Sequence, residues 1–198
     1  MNITGSVVKY GLIAAVIGGI YFYDNSGSSY VEDDIDLNLV LDVTVDTLHA
    51  YQDEISAQTK PDDTQVFFGL ADALSKNYSM SQPMIYNGNI GVSPQTDASL
   101  LAFDDKNLNK EIDDGEDLLF LIEIDGEKAR IIASSRSGAV NDHHFSGTSL
   151  LAGYLVGSLL SRQRSAGVSS KSLANKQPVT AKAAARARAG SGSHSKGK

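Results

Sequence analysis

Residues 7–23, VVKYGLIAAVIGGIYFY, are apolar apart from Lys9, and an apolar run of that length restricts where a chain can put it. As a helix rising about 1.5 Å per residue it extends roughly 25 Å, slightly short of a ~30 Å hydrocarbon core. Lys9 near one end can snorkel, and Tyr21, Phe22 and Tyr23 at the other suit the interface. The basic residue stands at the N-terminal end of the run and none follows it until Lys60, which orients the amino terminus towards the cytoplasm. YFYDNSGSS offers no A-x-A-like cleavage site, so the expected element is an uncleaved signal anchor over residues 1–24, with a cleaved signal peptide and a buried helix as the alternatives. Gly11, Ala15 and Gly19 recur every fourth residue, a small-residue stripe suited to helix association.

Charge divides the chain unevenly. The first 160 residues hold all 24 acidic residues against eight basic ones, a net −16, whereas the last 38 hold nine basic residues and no acid. Such asymmetry points to a tail with its own electrostatic partner or a topological role. Between these regions residues 145–161, FSGTSLLAGYLVGSLLS, carry no charge, and Gly153 and Gly157 form G-x-x-x-G. The segment can cross the membrane, lie against an interface or partner, or pack as a core helix. If it crosses, both basic flanks face the cytoplasm and the acidic middle lies outside. Residues 162–198 are rich in Ser, Ala, Gly, Lys and Arg, a composition expected to be disordered alone. Their charges suit anionic lipid headgroups. No aromatic follows Tyr154, which removes base stacking and argues against nucleic acid as the partner.

Residues 25–34 read as a linker and residues 35–138 as an acidic α+β domain. Ile35, Leu37, Leu39, Leu41, Val43 and Val45 alternate with mostly polar residues, the pattern of a half-buried strand. PDDTQVFFGLADALSKNY reads as a capped helix with a face of Phe67, Leu70, Ala71, Leu74 and Tyr78. Residues 80–98 look irregular. DLLFLIEI, the Asp125-Gly126 turn and KARIIAS predict a β-hairpin over residues 117–134.

DKNLNKEIDDGE, residues 105–116, places oxygen-bearing side chains at alternate positions of a short loop, with an apolar Ile112 and a closing Glu116. A hard cation takes six to eight oxygens from such a curled loop. The stretch resembles the EF-hand calcium loop over its twelve residues. That resemblance implies calcium held by the side chains of Asp105, Asn107, Asn109 and Glu116, the backbone carbonyl of Glu111, and Asp113 directly or through water. Lys110 stands where the family has a glycine at a sharp turn that favours φ > 0. An acidic turn between two strands is the competing reading.

Asp142, His143 and His144 are adjacent, a zinc-ligand composition lacking a third ligand at helical spacing. There is no G-x-S-x-G elbow, P-loop or dinucleotide fingerprint, so no enzyme motif stands out. The chain has no cysteine, which excludes disulfides and thiolate chemistry. Residues 152–157, AGYLVG, with the Ser/Arg/Lys tail, resemble a run in some uncharacterised bacterial envelope proteins. The expected protein is a non-enzymatic, membrane-anchored binding or structural module of the bacterial cell envelope, its acidic domain extracytoplasmic, its tail cytoplasmic, with calcium as a stabilising ion. The alternative is a cytoplasm-facing adaptor whose basic tail binds anionic lipid or nucleic acid.

Overall fold

A computed structural model describes residues 35–56, 62–126, 128–144 and 153–190. Two helices, α1 (Leu37–Ser56) and α2 (Asp63–Ser79), precede five strands, β1 (Ile90–Pro94), β2 (Leu100–Asp104), β3 (Leu118–Asp125), β4 (Arg130–Ser135) and β5 (Val140–His144). These form one antiparallel sheet in the order β1-β2-β3-β4-β5, a meander in which each strand pairs with its neighbour in sequence. Three helices follow: α3 (Tyr154–Ser165), α4 (Ser170–Ala174) and α5 (Ala181–Gly190).

The expected strand over residues 35–45 is corrected: this stretch opens helix α1. Its buried positions are Leu37, Val40, Leu41, Thr44, Thr47, Leu48 and Ile55, spaced by helical turns. Thr44 hid that period within 35–45, being a polar residue on the inward face, and Thr47 continues the same face. Each donates its hydroxyl to a carbonyl four residues back, Thr44 to Val40 at 2.6 Å and Thr47 to Val43 at 2.7 Å, so burial leaves neither unsatisfied. Asp36 starts the helix by accepting the Asn38 N–H at 2.9 Å.

The α2 helix follows its sequence pattern. Asp62 caps it by accepting the Thr64 and Gln65 N–H groups at 3.0 and 2.9 Å. Its expected face of Phe67, Leu70, Ala71, Leu74 and Tyr78 is buried with Val66. Both helices lie on one face of the sheet, over Ile90, Val92, Leu100, Ala102, Phe120, Ile122, Ile124, Ile131 and Ala133. Ser75 and Ser79 of α2 bond the backbone of Ile90 at 2.6 and 3.2 Å, which ties α2 to β1 at one margin of the sheet. At the centre, the Tyr78 hydroxyl meets Thr44 Oγ1 at 2.6 Å and its ring meets Phe120 edge-to-face at 5.2 Å.

The hairpin expected over 117–134 is present as β3 and β4, with Asp125 opposite Arg130 across the turn. It is two-fifths of a larger sheet, because residues 80–98, read as irregular, supply β1. Leu160 of α3 lies so close to Gly126 that a Cβ there would sit 2.5 Å from its methyl carbon, so a side chain in that turn would displace Leu160.

The membrane part of the expected fold is corrected. Among the described residues no helix is long and apolar enough to cross a bilayer. The expected anchor over residues 1–24, with Gly11, Ala15 and Gly19, and the linker over 25–34 lie outside the described residues. Of the second apolar segment, residues 154–161 begin α3, an amphipathic helix that runs on to Ser165 and buries Leu155, Val156 and Leu159 against α1 and α2. Gln52 of α1 accepts the N–H of Leu155, in the first turn of α3, at 2.9 Å, and Gln163 donates to the Ile124 carbonyl at 2.9 Å. The G-x-x-x-G pair forms no packing face: a Cβ on Gly153 would strike Gln52, whereas one on Gly157 would meet nothing within 4 Å. The tail expected to be disordered contains α4 and α5, and residues 168–188 return to the sheet.

Because the Tyr78 phenol is fully buried, its pKa is raised above the ordinary value of 10.0, the Thr44 bond only partly opposing this. The folded state therefore favours neutral Tyr78, and the resulting stability is complete below the unfolded pKa and lost as pH rises past it. Tyr78→Phe is expected to cost about 1 kcal/mol at neutral pH and to flatten the fall in stability above about pH 10, measured by urea unfolding from neutral to alkaline pH.

Candidate functional site

The loop between β2 and β3 holds every residue of the expected calcium site. Asp105, 4% exposed, accepts the N–H groups of Asn109 and Lys110 at 3.1 and 3.0 Å. Asn107 accepts the Asn109 N–H at 3.0 Å, and Asn109 accepts the Glu111 N–H at 2.8 Å. Asp113 receives both side-chain amides, from Asn107 at 2.7 Å and Asn109 at 2.8 Å. Glu116 closes the loop with one oxygen on the Lys106 N–H at 3.0 Å and the other on the Asp113 N–H at 3.1 Å.

The expectation of a metal-binding group is corrected. Among the described residues no three His, Asp or Glu side chains are grouped so as to hold a metal ion. Side-chain oxygens of Asp105, Asn107, Asn109, Asp113 and Glu116 accept hydrogen bonds from donors of the loop itself, and Lys106 and Lys110 pair with acids outside residues 105–116. Lys106 donates to the Gly115 carbonyl at 2.6 Å and lies 3.8 Å from both Asp104 and Asp117. Lys110 reaches Asp72 of α2 at 2.8 Å, an exposed pair of little net worth. The carboxylates hold a turn, and the Asp and Asn content has that local cause.

Lys110 does adopt φ +64, the left-handed conformation for which the resembled family uses glycine. A side chain there costs about 1 kcal/mol or more. Lys110→Gly is therefore expected to stabilise the chain by up to about 1 kcal/mol, net of the unfolded-state entropy of glycine, read as a higher urea midpoint at unchanged slope.

The Asp142-His143-His144 group is divided by the sheet. Adjacent residues of β5 point to opposite faces, and Asp142 is engaged by Arg130, with His144 at 3.6 Å. A hollow of about 520 Å³ beside α2 and α3 is lined by Asp63, Thr96, Ser158, Ser161, Arg162 and Ser165. Its two charges are already directed: Tyr154 bonds Asp63, while the Arg162 guanidinium lies 5.2 Å from the Phe67 ring centre and donates to Thr64 at 3.1 Å.

The densest charge chemistry lies on the sheet face turned away from α1 and α2. Strand register puts Asp125 opposite Arg130, Glu123 opposite Ile132 and Ile132 opposite Asp142, so all five side chains share that face. Arg130 is 2% exposed and makes three bonds: to Asp125 at 3.1 Å, to Asp142 at 2.5 Å and to the Leu173 carbonyl at 2.8 Å. Burial pulls its pKa down, but hydrogen bonds and charge from Asp142 and Asp125 outweigh this and hold it above the ordinary value. The third bond fastens the C-terminal limb, residues 168–190, to the sheet. Further contacts follow along the limb. Lys128 donates to the Ala174 carbonyl at 3.1 Å, Lys176 pairs with Glu123, Val140 and Val179 exchange backbone bonds of 2.9 and 2.8 Å, and Arg188 donates to the Ser137 carbonyl.

The limb thus presents an ordered basic surface. Lys171, Lys182 and Arg186 are exposed, with Lys182 and Arg186 one helical turn apart on α5, and residues 153–190 contain no acid. Sequence reading missed Arg130, Asp125, Glu123 and Lys176 as a group. The signal that could have found part of it is the hairpin register, which sets the charged Asp125 and Arg130 opposite each other at the end of two apolar strands. No family model, curated protein or solved structure matches this chain.

Proposed function

We propose that the chain is a non-enzymatic binding module whose working surface is the basic C-terminal limb, and that this surface takes anionic lipid headgroups. The observation that carries the reading is the run of seven basic residues without an acid over 153–190, folded onto a body rich in acids. Several cations of the body are paired at home: Lys106 and Lys110 with loop and α2 acids, Arg130 with two aspartates, and Arg136 with Asp117 at 2.9 Å. Lys182 and Arg186 of α5 face outward on a short helix, so little ordering entropy opposes their use.

A Lys or Arg near an anionic bilayer contributes about 1 kcal/mol. Lys171, Lys182 and Arg186 together give on the order of 3 kcal/mol, enough for weak, reversible and salt-sensitive attachment. Lipid is favoured over nucleic acid because the limb has no aromatic side chain on which bases could stack. The full chain is expected to sediment with phosphatidylserine-containing vesicles at low salt and to be released by raised salt. Lys182→Glu with Arg186→Glu should abolish most of that binding without moving the melting temperature. Equal binding to phosphatidylcholine vesicles, an unaffected double variant, or binding to duplex DNA in preference to vesicles would each refute the reading.

A further inference from the structure

We infer that the limb is a displaceable strap, so that its docking on the sheet and its binding to anionic lipid oppose one another; this rests on the lipid reading above. The composition of the contact makes release feasible. Between residues 168 and 190 the limb buries one large apolar side chain, Leu173 at 4% exposed, with Val179 and Ala181, Ala184 and Ala185 only half-buried. The remaining attachment is polar: a guanidinium and an ammonium on two limb carbonyls, one ion pair, one backbone bridge and one arginine on a turn carbonyl. Elements held by few buried apolar contacts open at free energies below that of global unfolding.

Release changes what the limb offers to a membrane. In the docked state Lys176 is committed to Glu123 and Arg188 to Ser137. Undocking frees both for headgroups, adding two cations to the three already outward, so anionic lipid binds the open state more tightly than the docked one. A ligand shifts an equilibrium by its differential affinity for the two states. By linkage, whatever holds the strap down weakens lipid binding by the same factor. The sheet face beneath is equipped for both states, since Leu121 and Ile132 are apolar and buried while Glu123, Asp125 and Asp142 attract a basic segment back. Headgroup phosphates and these carboxylates then compete for one set of cations.

The test uses the absence of native cysteine. Val140 and Val179 exchange both backbone bonds, which places their Cα atoms about 5.5 Å apart, within disulfide reach. Val140→Cys with Val179→Cys in the full chain locks the strap when oxidised and frees it when reduced. The oxidised protein is expected to bind phosphatidylserine vesicles about tenfold more weakly than the reduced protein, with wild type unaffected by the same oxidant. Glu123→Gln, which removes the partner of Lys176, is expected to bind several-fold more tightly than wild type. Equal affinity of oxidised and reduced protein, or failure of the disulfide to form in the lipid-free chain, overturns the strap while leaving lipid binding intact. No vesicle binding by wild type overturns the lipid reading itself, and the strap with it.

Discussion

A buried guanidinium is the hinge of this architecture. Arg130 sits at the start of β4, yet it reaches Asp125 at the end of β3, Asp142 on β5 and the backbone of α4. Taking a guanidinium out of water costs several kcal/mol, and only well-placed partners offset it. Here two carboxylates neutralise the charge and a carbonyl takes a third donor, so removing any one strands the others. The consequence extends beyond β3–β5. The donor that satisfies Leu173 is what brings a hydrophilic, alanine-rich segment onto a sheet whose second face would otherwise lie uncovered.

That arrangement gives the two faces of the sheet unlike character. On one side, α1 and α2 bury a continuous apolar core that closes on Tyr78, Thr44 and Phe120, and its energetics are those of close packing. On the other side, polar anchors carry a layer with little apolar area, and charge decides how firmly it stays. The first layer accounts for the stability of the body. The second supplies a surface that can answer to salt and to anionic partners, which is the basis for reading function there.

How much of this was legible in the residues depends on whether a local pattern matched the final neighbours. The helix at 63–79 was readable because its cap and its apolar stripe agree with its burial. So was the β3–β4 hairpin, set by two apolar runs around Asp-Gly. Residues 35–45 misled because Thr44 is a buried polar group satisfied within its own helix while Leu39, Val43 and Val45 are apolar but only partly buried, so hydrophobicity alone showed a period of two. The acidic stretch at residues 105–116 does join two strands, but its oxygens serve backbone and amide donors of the loop, and which donors they find follows from the turn that Lys110 and Leu108 make at positive φ. The limb was unreadable for another reason: no periodicity announces a segment whose attachment rests on its own carbonyls meeting Arg130 and Lys128, residues more than 40 positions away.

Residues 168–190 belong to the fold, seated on the sheet through Arg130 and the Val140–Val179 bridge. Amide hydrogen exchange at Val140 and Val179 in the full chain measures this directly, since each N–H is bonded to the other residue's carbonyl. Both amides are expected to be clearly protected, to open below the global unfolding free energy, and to lose protection together when Arg130 is replaced by Met. Exchange of Val179 at the rate of an unstructured peptide, with the strands β3 and β4 still protected, would contradict this seating.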